Sequence, residues 1–139
     1  MQKGLTLVEL IIVIAILAIL SAIAVPQMGV MVDAYRLNGA VRLVWSDLQN
    51  AKMTAVKENR SVRVNFTTPS YNFVRVDTSA VIFTRNLSSD YPNVTFSSSG
   101  GSTTFNSRGM ADPTTITVGL SSKQKQFTIA WTGRIGNIQ

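Results

Sequence analysis

The sequence predicts an α+β fold in which one long N-terminal α-helix, half membrane-spanning and half amphipathic, packs on a C-terminal antiparallel β-sheet head. Three observations predict it: an apolar run near the start, a helical stripe of apolar residues after it, and β-type alternation in the remainder. We expect four segments, namely residues 1–4 before the apolar run, a transmembrane helix at 5–26, an amphipathic helix at 27–60 and a β-rich head at 61–139.

The composition excludes most kinds of active site. The 139 residues suit one modest domain, and they include no Cys and no His. Disulfides, His/Cys metal sites, thiol nucleophiles and Ser-His-Asp triads are therefore excluded. The seven Asp and Glu residues form no pair at a spacing that suggests acid–base chemistry. We therefore expect no enzyme, no cofactor and no metal site.

The charge balance is basic. Thirteen Lys and Arg residues against seven Asp and Glu residues give a formal charge of +6. This balance is compatible with an anionic partner such as nucleic acid or a lipid surface, and equally with the ordinary surface of a basic protein.

The apolar run extends from Leu5 to Val25, 21 residues with Glu9 as the one charge. As a helix it spans roughly 31 Å, which matches a bilayer core. A secretory signal peptide would explain Lys3 and the small residues 22–24, but its apolar stretch is shorter and carries no acid. A plain anchor leaves Glu9 without a cation, because no Lys or Arg lies in the run.

The first ten residues, MQKGLTLVEL, and the apolar run that follows resemble the class III leader of type IV prepilins and type II secretion pseudopilins. In that family a membrane peptidase cleaves after the glycine and methylates the new N-terminus. The resemblance implies that residues 1–4 are a leader, that cleavage falls between Gly4 and Leu5, and that Leu5 is N-methylated. Leu5 stands where Phe is usual, and Pro26 matches the proline that commonly follows this segment.

The same resemblance gives Glu9 a role. Cleavage leaves an α-amino cation on Leu5, and methylation keeps it charged. Glu9 of a neighbouring subunit would neutralise that cation and favour the correct axial register in a filament. Residues 5–26 would then serve both as the membrane anchor and as the polymerisation helix.

The second helical segment carries an apolar stripe at alternating spacings of four and three residues. We expect the helix to end near Asn59 and Arg60 and to bend at Pro26, with Gly29 and Gly39 as further weak points. The stripe is compatible with a coiled coil, but we expect it to pack on a sheet of the same chain. It consists of Val30, Ala34, Leu37, Val41, Val44, Leu48, Ala51 and Ala55, with Asp33, Arg36, Asp47, Lys57 and Glu58 off it.

The remainder predicts β-strands, because apolar and polar residues alternate between turn signals. Residues 87–104 are rich in Ser, Gly and Thr, and we expect loops and short edge strands there. The predicted strands are 61–66, 71–76, 81–85, 93–97, 103–106, 114–119 and 126–132.

Two stretches of the head narrow the resemblance to the GspH/FimT group. Residues 105–118, FNSRGMADPTTITV, resemble that group's phenylalanine, basic-glycine turn and Thr-Ile-Thr strand. Residues 129–135, IAWTGRI, resemble its closing strand and Gly-Arg turn. Members are low-abundance pilins or pseudopilins that sit at or near filament tips and help to start assembly. The absence of the C-terminal disulfide loop of many major pilins agrees with the minor class.

The resemblance therefore implies a structural subunit. We expect a minor type IV pilin that helps to initiate or cap pilus assembly, held in the inner membrane as a single-pass protein and then moved into a periplasmic or extracellular filament. Its partners would be other pilin or pseudopilin subunits, the prepilin peptidase and the inner membrane. The alternative within the family is a GspH-type pseudopilin of type II secretion.

A DNA-binding minor pilin for DNA uptake is an alternative of another class. Some FimT-type pilins bind DNA through a Gly-Arg-x-Arg turn, but here residues 133–136 read GRIG and lack the second arginine. Lys123, Lys125 and Arg134 remain candidates for contacts with phosphates, and Trp131 for base stacking. Otherwise these residues form a solvated basic edge with Trp131 in the core, and Arg134 donates to carbonyls at a strand end.

Overall fold

The structure, a computed structural model, describes residues 6–139, except for the side chains of residues 25–27. The predicted cleavage between Gly4 and Leu5 lies outside the described residues. Pro26 lies within one long helix, and the predicted bend there stays a prediction. The chain divides into two compact units, one ending at Tyr35 and the other extending from Arg36 to Gln139.

The element order is the predicted one, a long helix followed by antiparallel strands, so the α+β fold is confirmed. The elements are α1 (Leu7–Lys57), β1 (Val62–Thr67), β2 (Ser70–Arg75), β3 (Val81–Asn86), α2 (Leu87–Asp90), β4 (Thr95–Ser98), β5 (Ser102–Phe105), β6 (Thr114–Leu120) and β7 (Lys123–Ile129).

The apolar stripe of α1 packs on strands of the same chain, as predicted. The stripe's six positions from Leu37 to Ala55 are all buried, and they share one core with Val62, Val64 and the apolar residues of the other strands. The predicted stripe is too long at its start, because Val30 is 53% exposed and Ala34 is only half-buried. The buried part of the stripe therefore begins at Leu37.

The strands form two antiparallel sheets instead of the single sheet that we predicted. One sheet has the order β3-β2-β1-β5 and the other has the order β4-β6-β7. Alternation assigns one face of each strand to the core but does not say which strands pair. β4 and β5 are edge strands of their sheets, as expected for residues 87–104. The short helix α2 in that stretch was not predicted, and the side chain of Asn86 caps it by accepting from the backbone N–H of Ser88.

The last strand lies three residues earlier than predicted. Ser121, at φ 55°, and Ser122 form a short turn after β6, so β7 begins at Lys123. β7 ends at Ile129 because the chain turns between Ala130 and Gly133, where the N–H of Gly133 donates to the carbonyl of Ala130 at 2.8 Å.

Asp47 differs from the prediction, which places it off the apolar stripe and so outside the core. It is buried at 5% exposure, and its Oδ2 accepts from Tyr71 Oη at 2.6 Å and from Arg85 Nε at 2.6 Å. Burial raises the pKa of Tyr71, and the hydrogen bond to the Asp47 carboxylate raises it further. Asp47 therefore joins α1 to β2 and β3 through a polar contact inside the core.

Candidate functional site

The first part of α1 presents an apolar surface. Every described side chain from Thr6 to Ala24 is exposed. The most apolar window of the helix has a mean hydropathy of 3.0, and no part of that window is buried. The helix is therefore long and apolar enough to cross a membrane, and its apolar side chains have no contact that removes them from solvent.

Thr6 and Glu9 form a reciprocal cap at the start of this helix. The backbone N–H and the Oγ1 of Thr6 donate to Glu9 Oε2 at 2.9 and 3.0 Å, and the N–H of Glu9 donates to Thr6 Oγ1 at 3.2 Å. This is a capping box, in which a Thr at the N-cap and a Glu three residues later satisfy each other's backbone donors.

The capping box gives Glu9 a polar partner in its own chain. This partner differs from the prediction, which gives Glu9 none in its own chain, although the spacing of Thr6 and Glu9 is the sequence signature of a capping box. In the described part of the chain, both hydrogen bonds to the carboxylate reach Oε2, and Oε1 receives none. The pairing of Glu9 with the Leu5 amine of a neighbour stays a prediction.

The three basic residues of the predicted DNA contact lie at different ends of β7. Lys123 and Lys125 lie near its start, opposite Leu120 and Val118 of β6. Arg134 follows the turn at the other end, where its carbonyl accepts from the N–H of Ala130 at 2.9 Å. At ~3.3 Å per residue along a strand, about 17 Å separates the backbone at Lys125 from that at Ala130. The structure thus separates Arg134 from the two lysines.

The turn that carries Arg134 packs against the loop after β5. Gly133 has φ 71°, and a β-carbon on it would lie 1.6 Å from the carbonyl oxygen of Gly109, so no side chain fits there. Lys52 of α1 donates through Nζ to the carbonyl of Gly133 at 2.9 Å, and Trp45 donates through Nε1 to the carbonyl of Gly136 at 3.3 Å. We call the place where Gly109 meets Gly133 the glycine junction.

These contacts correct two predictions about the turn. The alternative for Arg134 is donation to a carbonyl near the strand end. In the structure it is Lys52 that donates to such a carbonyl, that of Gly133. Trp131 is 64% exposed, so its alternative place in the core is wrong. Its carbonyl accepts from the N–H of Ala111 at 3.1 Å, and Trp131 and Met110 line a cleft of about 430 Å³. Among the residues that the structure describes, no three Asp or Glu side chains gather to hold a metal ion.

Comparisons with known proteins agree on one family. The family model described as type II transport protein GspH matches residues 40–133, and the model of the prokaryotic N-terminal methylation motif matches residues 1–25. A sequence search of curated proteins gives no match.

Two solved structures have the same fold. The type IV minor pilin FimU of Pseudomonas aeruginosa is 15% identical, with a TM-score of 0.64 over 76% of this chain and 90% of that one. The minor pseudopilin EpsH from the type 2 secretion system of Vibrio cholerae is 12% identical, with a TM-score of 0.62 over 75% of this chain and 96% of that one.

Proposed function

The chain belongs to the GspH family of minor pilins and pseudopilins, and from this premise we propose that it is a minor type IV pilin that helps to initiate or cap pilus assembly. The apolar, wholly exposed first part of α1 carries the proposal. Burying apolar surface away from water is favourable. We therefore expect this surface to lie in lipid before assembly and against neighbouring apolar helices after it.

In this proposal the subunit waits in the inner membrane as a single-pass protein. The prepilin peptidase removes residues 1–4, cleaving between Gly4 and Leu5, and Leu5 becomes N-methylated. The subunit then leaves the bilayer and joins other pilin subunits in a periplasmic or extracellular filament. The match of residues 1–25 to the methylation motif supports this order of events.

Glu9 takes part in the entry step. Its carboxylate meets the methylated amine of Leu5 in a neighbouring subunit, where the low dielectric strengthens the attraction between the two charges. The capping box supports this role, because Thr6 satisfies one carboxylate oxygen and fixes the position of the other at the start of the helix.

A GspH-type pseudopilin of type II secretion is the second candidate. The description of the matching family and the likeness to EpsH favour it, whereas the likeness to FimU favours the pilus. Deletion of the gene in its native host separates the two candidates. We expect fewer surface pili and unchanged protein secretion. Loss of secretion with normal piliation would overturn the pilus proposal and support the pseudopilin.

The intact mass of the protein purified from its native membrane tests the processing step. We expect a chain that starts at Leu5 and carries one methyl group. A chain that retains residues 1–4, or one cleaved near Ala24, would contradict the proposed processing.

DNA binding is a candidate of another class, supported by the basic charge of the second unit. Twelve of the 13 Lys and Arg residues lie between Arg36 and Gln139 with only five of the seven Asp and Glu residues, so this unit has a formal charge of +7. Lys123, Lys125 and Arg134 would contact backbone phosphates, which attract cations regardless of sequence.

A further inference from the structure

An exposed apolar patch surrounds the glycine junction. A β-carbon on Gly109 would lie 3.4 Å from Cγ2 of Val56 and 3.1 Å from Cε of Lys52, so this part of α1 borders the loop after β5. Val56 and Met53, one helical turn earlier, are 48% and 66% exposed. Met110 and Trp131, on the two sides of the glycine junction, are also exposed.

Cations border this apolar patch. Arg108 and Arg134 each lie next to a glycine of the junction, and both are exposed. Lys52 adds a third positive charge where it donates to the carbonyl of Gly133. We call the following set the junction face: Met53, Val56, Arg108, Met110, Trp131 and Arg134.

The composition of the junction face is that of a protein interface. Aromatic residues, Met and Arg are enriched in such interfaces, where an apolar centre lies inside a polar rim. A surface that only met nucleic acid phosphates would not need four exposed apolar side chains. The junction face therefore fits a protein partner.

The charges of the second unit indicate what kind of protein the partner is. Four of the five carboxylates between Arg36 and Gln139 already take part in ion pairs: Glu58 with Arg75, Asp77 with Arg60, and Asp47 and Asp90 with Arg85. In the described chain this leaves Asp112 as the one side-chain carboxylate of the unit outside an ion pair. It is exposed and lines the cleft of Met110 and Trp131, so this region of the described chain has one unpaired acid against the three cations Lys52, Arg108 and Arg134. A second copy would therefore meet the junction face with cations and few acids, which is unfavourable.

We propose that the junction face docks a different pilin-type subunit, one whose contacting surface combines apolar side chains with Asp or Glu residues that pair with Arg108 and Arg134. The proposal rests on the proposed function, because it takes the partner to be another subunit of the same filament. It adds the face that makes the contact and the acidic chemistry of the partner.

Photocrosslinking in the native membrane tests the docking. The full-length chain carries benzoylphenylalanine in place of Met53, and a matched control carries it in place of Val81, which is 58% exposed on β3, at the opposite edge of the sheet from β5. We expect the Met53 probe to crosslink a different single-span subunit at least about tenfold more efficiently than the Val81 probe, at a peptide that contains Asp or Glu.

Charge reversal then tests the pairing. The double variant Arg108→Glu/Arg134→Glu should lower the crosslink yield at least about tenfold, which corresponds to about 1.4 kcal/mol. Changing the Asp or Glu residues of the crosslinked peptide to Arg should restore the crosslink yield of this double variant. The matched control Lys123→Glu/Lys125→Glu changes the net charge equally near the far end of β7 and should leave the yield unchanged.

The remaining outcomes overturn the proposal. They are a crosslink to a second copy or to DNA, a Met53 yield no higher than that of Val81, and a yield that charge reversal does not change. The intact mass and filament entry of each variant are measured in parallel. Normal processing and filament entry with a failed crosslink reject the junction face alone, whereas failed processing of the unaltered chain rejects the proposed function.

Discussion

Glu9 combines two roles that can be separated by substitution. As the third residue of the helix it accepts from Thr6, and as a charge it is proposed to meet the amine of Leu5 in a neighbouring subunit. Gln keeps the hydrogen-bonding capacity of a capping box but has no charge, and Leu has neither.

We predict that Glu9→Gln and Glu9→Leu both insert into the membrane and lose their leader, but enter filaments poorly. The Leu variant makes the span more apolar, so its insertion should equal or exceed that of the unchanged chain. Membrane fractionation measures insertion, and immunoblotting of sheared filaments measures entry. Wild-type filament entry by Glu9→Gln would mean that the capping box, and not the charge, is what assembly requires.

Asp47 is the second residue at which the effect of a substitution depends on the local environment. Its carboxylate is buried with two donors, Tyr71 and Arg85. Removing it leaves the Tyr71 hydroxyl and the Nε of Arg85 without their acceptor, and Arg85 keeps its hydrogen bond to Asp90. Removing one partner from a buried charge pair costs about 3–5 kcal/mol.

We therefore expect Asp47→Ala to lower the free energy of unfolding by about 3 kcal/mol. Urea unfolding of the chain in detergent micelles, followed by near-UV circular dichroism, measures the change. Ser46→Ala, an exposed neighbour on the same helix, is the control and should change stability by less than about 0.5 kcal/mol. An equally small effect of Asp47→Ala would mean that water replaces the carboxylate.

The sequence could not reveal this contact. Asp47 lies off the apolar stripe, and a charged residue off a stripe is usually solvated. Its partners Tyr71 and Arg85 are 24 and 38 residues away, so no local pattern connects them. Thr6 is the opposite case, because the signature of its capping box is local and was readable.

At the scale of elements, the glycine junction holds the turn after β7 against the loop after β5. Gly133 and Gly101 both have positive φ, at 71° and 66°, but their surroundings differ. A β-carbon on Gly133 would overlap the carbonyl of Gly109, whereas a β-carbon on Gly101 would meet nothing within 4 Å.

We predict that Gly133→Ala lowers the free energy of unfolding by about 3 kcal/mol or more, because the left-handed conformation and the overlap both cost energy. Gly101→Ala should cost only about 1–2 kcal/mol, since the conformational term alone applies. Both variants are compared by urea unfolding. Equal costs would show that the loop after β5 moves aside without penalty.

The elements themselves were largely predictable, because alternation and helical spacing are local properties of the chain. Val62, Val64 and Phe66 predicted β1 directly from their spacing. The division into two sheets was not predictable. The paired residues of β1 and β5 lie 37 positions apart at Asn65 and Ser102 and 43 positions apart at Val62 and Phe105, and nothing local specifies that pairing. The exposure of Trp131 was not predictable for the same reason. The turn that carries it is positioned by contacts with Gly109 and Lys52, which lie far away in the sequence.

At the scale of the whole molecule, the charge of the second unit makes DNA binding testable. Lys123 and Lys125 lie at the start of β7 and Arg134 lies beyond its end, so three phosphates along a duplex would have to be met from two ends of one strand. These three residues are close along the chain, which is why the sequence predicts one cluster. An extended strand separates them, because it advances by ~3.3 Å per residue.

If DNA binds there, we predict that affinity falls steeply with salt and that neutralising each of the three residues reduces the log–log salt slope by about 0.9. A fragment of residues 30–139, first shown to be folded by circular dichroism, is titrated against a labelled duplex. Arg42→Gln, an exposed position on α1, is the control for general loss of charge. No binding at ~50 mM salt would end the DNA-uptake candidate and leave the assembly role unchanged.

The pairing of residues 134–139 along β7 has a practical consequence for producing the protein. Gly136 donates to the carbonyl of Thr128 at 2.7 Å, and Gln139 and Gln126 exchange two backbone hydrogen bonds at 2.9 and 3.1 Å. Truncation before Gly136 would uncover the outer edge of β7, and an open edge recruits strands from other molecules. Expression vectors should therefore keep these residues and attach any purification tag through a flexible spacer beyond them.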